Sequence, residues 1–198
     1  PFDVKKAEQR LVEVVSRVTE TDLPLIYANM VGGQDELVFD GGSFALNKAG
    51  KLACQFPYFS EHLACLTLRR GAVDVYLTGP LTQPDRAEET LWRALMLGLR
   101  DYCNKNKFPS VILGLSGGID SAIVAALAVD ALGADRVHAV MMPSDYTAEI
   151  SVTDADKLAE VLGIKLNTIA IRQGMTAFDN MLAPSFEGLD PGLAEENI

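Results

Sequence analysis

Val111-Ile112-Leu113-Gly114-Leu115-Ser116-Gly117-Gly118-Ile119-Asp120-Ser121 is the stretch whose reading decides the fold of this chain. Its first five residues form a short apolar run, as expected of a buried strand. Ala122 to Leu132 follows as an apolar, alanine-rich run that favours helix. Between them lies a tight turn of serine and glycine. A strand, a glycine turn and a helix start together make an anion cradle. The backbone N–H groups at the helix N-terminus point at a bound phosphate, and glycines let the backbone approach it closely. The Ser116 and Ser121 hydroxyls add donors, so residues 114–121 (Gly114, Leu115, Ser116, Gly117, Gly118, Ile119, Asp120 and Ser121) form the candidate phosphate site.

Walker-type loops carry Lys followed by Ser or Thr, and this loop has neither. It carries Asp120 in the first helical turn instead. A carboxylate beside a polyphosphate is repelled unless a cation lies between them. Mg²⁺ typically takes one or two carboxylates plus phosphate oxygens, which makes Asp120 the candidate metal ligand. The plainer reading of Asp120 is an ordinary acid stabilising a helix start.

Outward from the loop, strands and helices alternate. Arg86 to Lys105 reads as a long helix with Leu91, Leu95, Gly98, Leu99 and Tyr102 on one side. After the loop come helix Asp120 to Leu132, strand Val137 to Met142, helix Ser151 to Leu162 ended by Gly163, and strand Lys165 to Ile171. This alternation implies βαβ units in a parallel sheet, with ligands beyond the strand C-termini. Met142-Pro143-Ser144 falls at such an end; it reads either as nucleotide-pocket lining or as a polar loop with Ser151 as an N-cap.

Toward the N-terminus, Asp3 to Thr21 is predicted helical, with Val4, Ala7, Leu11, Val15 and Val18 on one face. Leu23 to Val31 reads as a strand ending in a Gly32-Gly33 turn. Glu36 to Phe39, Ser43 to Asn47 and Lys51 to Phe56 read as short strands between turn signals. Leu77 to Asp85, with Gly79, Pro80 and Pro84, reads as linker.

Composition narrows the function. The chain's 198 residues can hold one or two domains, and 48% hydrophobic with 22% charged residues is usual for a soluble globular protein. No apolar run approaches the ~18 residues that span a membrane. A net charge of −10 argues against a nucleic-acid surface. Cys54, Cys65 and Cys103 lack zinc spacing and read as reduced structural thiols of a cytoplasmic protein. His62 and His138 have no partner pattern and read as structural.

The Ser116–Ser121 loop resembles the pyrophosphate loop of enzymes that cleave ATP between the α and β phosphates. The flanking Arg100-Asp101-Tyr102-Cys103, Met142-Pro143-Ser144-Asp145-Tyr146-Thr147 and Leu193-Ala194-Glu195-Glu196-Asn197-Ile198 resemble the synthetase domain of glutamine-dependent NAD synthetases. Tyr27 to Ser43, with Gly32-Gly33-Gln34-Asp35, resembles the late part of that family's nitrilase-fold glutaminase domain. Both ends of the chain look cut, as for a fragment.

The resemblance implies an α/β chain. Residues 1–79 would be the tail of a nitrilase-type α/β sandwich, 80–85 a linker, and 86–198 the start of a doubly wound parallel sheet (adenine-nucleotide α-hydrolase-like). It implies ATP-dependent amidation of deamido-NAD, with Mg²⁺, ATP binding at residues 114–121, ammonia or glutamine as nitrogen source, and a homo-oligomer. It also assigns Asn197 to deamido-NAD and Lys6 to the glutamine pocket, with the Glu–Lys–Cys triad upstream of Pro1. Asp145 stands where the family has a basic or small residue, which argues against a phosphate contact there. The alternatives are another amidotransferase such as GMP synthetase, a hydrolytic amidase, and a non-catalytic nucleotide-binding module.

Overall fold

The computed structural model describes residues 1–71 and 75–185. The chain forms two compact units that divide between Pro109 and Ser110. The helix expected to open the nucleotide domain thus packs with the unit that precedes it.

In the first unit, α1 (Lys6–Thr21) leads into seven short strands: β1 (Leu25–Tyr27), β2 (Val31–Gln34), β3 (Leu37–Asp40), β4 (Phe44–Leu46), β5 (Leu52–Gln55), β6 (Thr67–Arg70) and β7 (Val75–Thr78). Helix α2 (Ala87–Lys105) closes it. β1, β4 and β5 form an antiparallel sheet, while β2–β3 and β6–β7 are separate hairpins. The strands expected from the three short apolar runs correspond to β3, β4 and β5. The run over residues 23–31 is not one strand. Asn29 interrupts it: its N–H donates to Ser43 Oγ (2.9 Å) and its amide to Asp40 Oδ1 (2.9 Å) and the Gly41 carbonyl (3.0 Å).

Helix α1 buries a stripe that overlaps the expected one only at its C-terminal end, at Val15 and Val18. Arg10, Val14 and Val18 face inward at steps of four, while Val4 is 72% exposed and Leu11 42%. Val14 and Val18 pack on Phe44 and Leu46, and Tyr27 stacks on Phe44 at 5.2 Å. Arg10 belongs inside because Asp40 meets it there: one guanidinium nitrogen lies 2.9 and 2.7 Å from the two carboxylate oxygens. An apolar-periodicity reading skips an arginine, so it found Val18 and the partly buried Val15 but missed Arg10 and Val14.

The Gly32-Gly33 pair lies inside β2, not in a turn. The turn is Asp35-Glu36, with Asp35 at φ +52°. On α2, Ala94, Leu97 and Cys103 are buried, whereas Leu91, Leu95 and Tyr102 of the expected apolar side are 46–48% exposed. The reason is Gly33: a Cβ there would lie 3.1 Å from Gly98 Cα and 3.3 Å from the Leu97 carbonyl, so β2 meets the helix along its small-residue side. Of the residues expected as linker, Leu77 is buried in β7 against Ala45 and Cys54.

Helix α2 ends in a Schellman motif. Phe108 N–H donates to the Cys103 carbonyl (2.9 Å) and Lys107 N–H to that of Asn104 (3.1 Å), with Lys107 left-handed at φ +60°.

The second unit contains β8 (Val111–Gly114), α3 (Ile119–Leu132), a 3₁₀ turn, β9 (Val137–Met141), α4 (Glu149–Leu162), β10 (Lys165–Thr168) and α5 (Arg172–Leu182). The sheet is parallel in the order β10-β9-β8, matching the expected alternation. Ala125, Ala128 and Ala131 are buried at three-residue spacing on α3. Their small size lets the helix lie close to β9, whose Val137, Ala139 and Met141 are buried. Two expectations shift here. The last strand stops at Thr168 and is followed by α5, and the N-cap of α4 is Ala148 rather than Ser151.

Two outcomes follow from this packing. Asp40→Ala leaves a buried guanidinium unpaired and costs about 3–5 kcal/mol in urea unfolding, most of which an Arg10→Met/Asp40→Leu double variant regains. Lys107→Gly removes left-handed strain and raises stability by about 1 kcal/mol in the same assay.

Candidate nucleotide site

The loop after β8 is built by its own hydroxyls. Leu115 N–H donates to the Val140 carbonyl (2.9 Å), carrying the strand one residue further. Ser116 N–H then donates to Ser121 Oγ (3.2 Å), which donates to the Gly118 carbonyl (3.0 Å). Gly118 N–H donates to Ser116 Oγ (3.3 Å), and the two hydroxyl oxygens lie 3.0 Å apart. Gly118 occupies the N-cap in an extended conformation and supplies no side-chain cap. The first N–H groups of α3 therefore carry the positive end of the helix dipole with no side chain to satisfy them.

Gly117 is fixed by sterics as well as by conformation. Its φ is +80°, and a Cβ there would fall 2.7 Å from both the Cα and the carbonyl carbon of Ser151. The first turn of α4 thus backs the loop. Gly118 differs, because its φ is −87° and a Cβ would meet only Ser116 Oγ, at 3.4 Å.

Cavities flank the loop on two sides. One of about 220 Å³ is lined by Gly114, Leu115, Ser116, Met142 and Thr147, at the C-terminal ends of β8 and β9. Another of about 480 Å³ lies between α3 and α4, beside Gly117, Gly118, Ile119 and Lys157. The first is shaped by the connection after β9. There Ser144 N–H donates to Thr147 Oγ1 (2.9 Å), and Tyr146 N–H to Ser144 Oγ (3.2 Å). Asp145 is drawn off into an exposed pair with Arg172 at 3.2 Å. A third cavity, about 490 Å³, lies in the first unit beside Asp22 and Lys48, whose charges pair at 2.8 Å.

Thus the structure gathers residues 114–121 at one strand end. Asp120 is exposed in the first turn of α3, and no hydrogen bond or ion pair engages its carboxylate among the described residues. Among the described residues, no group of three His, Cys, Asp or Glu is placed to hold a metal. One carboxylate beside phosphate oxygens is the arrangement Mg²⁺ accepts. Lys6 is half-buried at the start of α1. Asn197 lies outside the described residues. Cys54 and Cys103 are buried and Cys65 exposed; burial pushes the Cys54 thiol up, away from the thiolate a nucleophile needs. The reading of the sequence missed Thr147 and the Ser151 backbone. The Ser-x-x-Thr spacing of 144 and 147 signals a hydroxyl-locked turn, but nothing in the sequence places Ser151 behind Gly117.

A parallel sheet with a glycine loop and an uncapped helix start at its strand ends defines a nucleotide-binding α/β unit. The sequence pattern described as NAD synthase matches residues 91–198, and the chain belongs to that family. It is 47% identical to a glutamine-dependent NAD(+) synthetase of Rhodobacter capsulatus, over all of this chain and 36% of that protein. It is 46% identical to one from Synechocystis, over 89% of this chain and 32% of that protein. A solved glutamine-dependent NAD⁺ synthetase from Acinetobacter baumannii, in complex with ADP, superposes with a TM-score of 0.92 at 38% identity. That match covers 100% of this chain and 37% of the other. It bears out the α/β reading of both halves. The chain spans about a third of the length of the relatives it matches.

The two loop glycines should separate by experiment. Gly117→Ala forces the loop off α4 and abolishes ATP binding in calorimetry, with a loss of about 2–4 kcal/mol in stability. Gly118→Ala leaves stability within about 1 kcal/mol yet weakens ATP binding, because its Cβ occupies the space of an approaching phosphate. Gly163→Ala, left-handed but with nothing within 4 Å, costs about 1 kcal/mol and leaves binding intact.

Proposed function

We propose that this chain is part of a glutamine-dependent NAD synthetase, a ligase that amidates deamido-NAD to NAD and converts ATP to AMP and pyrophosphate. Family membership supports the reaction, and the uncapped start of α3 behind the Ser116–Ser121 loop supports the place where ATP is held. Residues 1–79 would be the end of the glutaminase domain, 80–85 the linker and 86–198 the beginning of the synthetase domain. The Glu–Lys–Cys triad of the amidase is assigned to other parts of the polypeptide.

In the first step the nicotinate carboxylate attacks the α-phosphorus of ATP, and pyrophosphate leaves. Backbone N–H groups of Ile119, Asp120 and Ser121 face the departing oxygens and stabilise the charge that develops there. Such preorganised donors act most strongly away from bulk water. Asp120 would hold Mg²⁺, which when bound neutralises adjacent phosphate oxygens. The hydroxyls of Ser116 and Ser121 orient the loop and add donors. The cavity between Gly114 and Thr147 would take the nucleoside end of ATP. Ammonia from glutamine then displaces AMP from the acyl-adenylate. Asn197 would contact deamido-NAD and Lys6 the glutamine pocket, in a cytoplasmic homo-oligomer.

The deciding experiment uses the longest polypeptide that carries this chain, incubated with Mg-ATP, deamido-NAD and ammonia. NAD and AMP should appear in equal amounts, and replacing ammonia by glutamine should sustain the reaction. ADP and phosphate as products, or ATP left intact, would overturn the assignment. Asp120→Asn should lower kcat/KM by at least about 100-fold while the thermal midpoint stays within a few degrees.

A further inference from the structure

Helix α2 holds one peptide of β2 from both sides. Gly33 N–H donates to Asp101 Oδ2 (2.7 Å), and Lys105 Nζ donates to the Gly33 carbonyl. Asp101 and Lys105 are four residues apart, so successive turns of one helix face present them together. Gly33 can offer both groups because it sits opposite Val38, in a pair whose polar groups point away from the β2–β3 ladder. The Val38 carbonyl points outward too, accepting from Phe2 N–H at 2.5 Å. The two side chains thus act as a surrogate strand on the open edge of β2. Among the described residues, Arg100 Nε is a further charge near Asp101, at 3.8 Å.

Backbone proximity makes the grip specific. A Cβ on Gly33 would lie 3.1 Å from Gly98 Cα and 3.1 Å from Asp101 Cβ, so any larger residue would press the helix outward by a few tenths of an ångström. The helix C-terminus is in turn locked by its Schellman motif, and residues 106–110 alone separate it from β8. Yet the NAD synthase pattern begins at residue 91, inside α2, while the compact unit to which α2 belongs ends at Pro109. The helix is counted with one part of the protein by sequence and held by the other physically.

We infer that Asp101 and Lys105 are positioning residues that clamp α2 to the β2–β3 hairpin, so that hairpin and helix move as one body. Their task is to couple the ammonia-supplying half of the enzyme to the ATP-consuming half, and this rests on the proposed function. Neither residue touches a reacting atom.

The test uses the same longest polypeptide, with Asp101→Ala, Lys105→Met and the conservative Asp101→Asn. In Lys105→Met and Asp101→Ala, amide exchange at Gly33 should accelerate about tenfold. The ratio of glutamine-driven to ammonia-driven NAD formation should fall at least about fivefold, while the ammonia-driven rate holds within about twofold. Asp101→Asn, which keeps an acceptor, should restore most of the ratio. A merely structural role would lower both rates together and leave the ratio unchanged, and that result overturns the inference, as does unaltered exchange at Gly33. Should Asp101→Ala fail to fold, Lys105→Met at the exposed last turn carries the same test. A wild-type polypeptide that makes no NAD from ammonia overturns the proposed function and the coupling role with it. Activity with an unchanged ratio overturns the clamp alone.

Discussion

The seating of Gly117 against the backbone of Ser151 is the constraint on which the second unit's site depends. It ties three elements to one point: the end of β8, the start of α3 and the first turn of α4. Each alone is ordinary. A strand end offers no preferred anion geometry, and an isolated helix start is satisfied readily by water. Held against α4, the loop keeps its shape before any ligand arrives. In the proposed reaction, the reorganisation that would otherwise accompany charge development would then be already complete. The same seating sets the distance between α3 and α4, which bounds the cavity beside Lys157.

Electrostatics at the loop runs against the sign of the whole molecule. The chain carries a net charge of −10, and Asp120 adds a carboxylate at the very turn that would receive phosphate. At physiological ionic strength, distant surface charges are screened within about 8 Å, so the net charge governs the loop weakly. Local terms dominate: uncapped N–H groups, a helix dipole and hydroxyls already oriented by their mutual hydrogen bonds. Asp120, which no cation of the protein engages among the described residues, fits a site that brings its own positive ion. Asp145, by contrast, pairs with Arg172 at 3.2 Å.

What could be read from the sequence was what short-range physics decides. The loop, α3, β9 and α4 follow from glycine placement and local apolar runs, and they lie where expected to within a residue or two. The faces of α1 and α2 could be read only in part, because each is also chosen by a long-range partner. Arg10 turns inward for Asp40, thirty residues away, and α2 turns its alanine and glycine side inward for Gly33. The pair Gly32-Gly33 looked like a turn for the same reason. Its glycines serve close approach by a helix nearly seventy residues later, and glycine in a sequence does not say which use it has. The hairpin β6–β7 went unread because its strands are short and β6 is exposed throughout, and α5 went unread although Met175, Phe178 and Leu182 follow helical spacing.

Helix α2 also shows why a domain boundary drawn from sequence and one drawn from packing need not coincide. A family pattern records which residues have stayed together in a lineage of sequences. A compact unit records which backbone groups satisfy one another. Gly33 is buried, and its N–H and carbonyl both lie on the open edge of β2; water cannot serve them there, and unpaired they would cost about 1–3 kcal/mol each. That demand fixes α2 to the hairpin whatever function the helix serves further along the chain. Its C-terminal end is tied back to the helix by Lys107 and Phe108, and five residues of chain, 106–110, lead on to β8. In the chain, the loop that would hold ATP begins one strand after this helix.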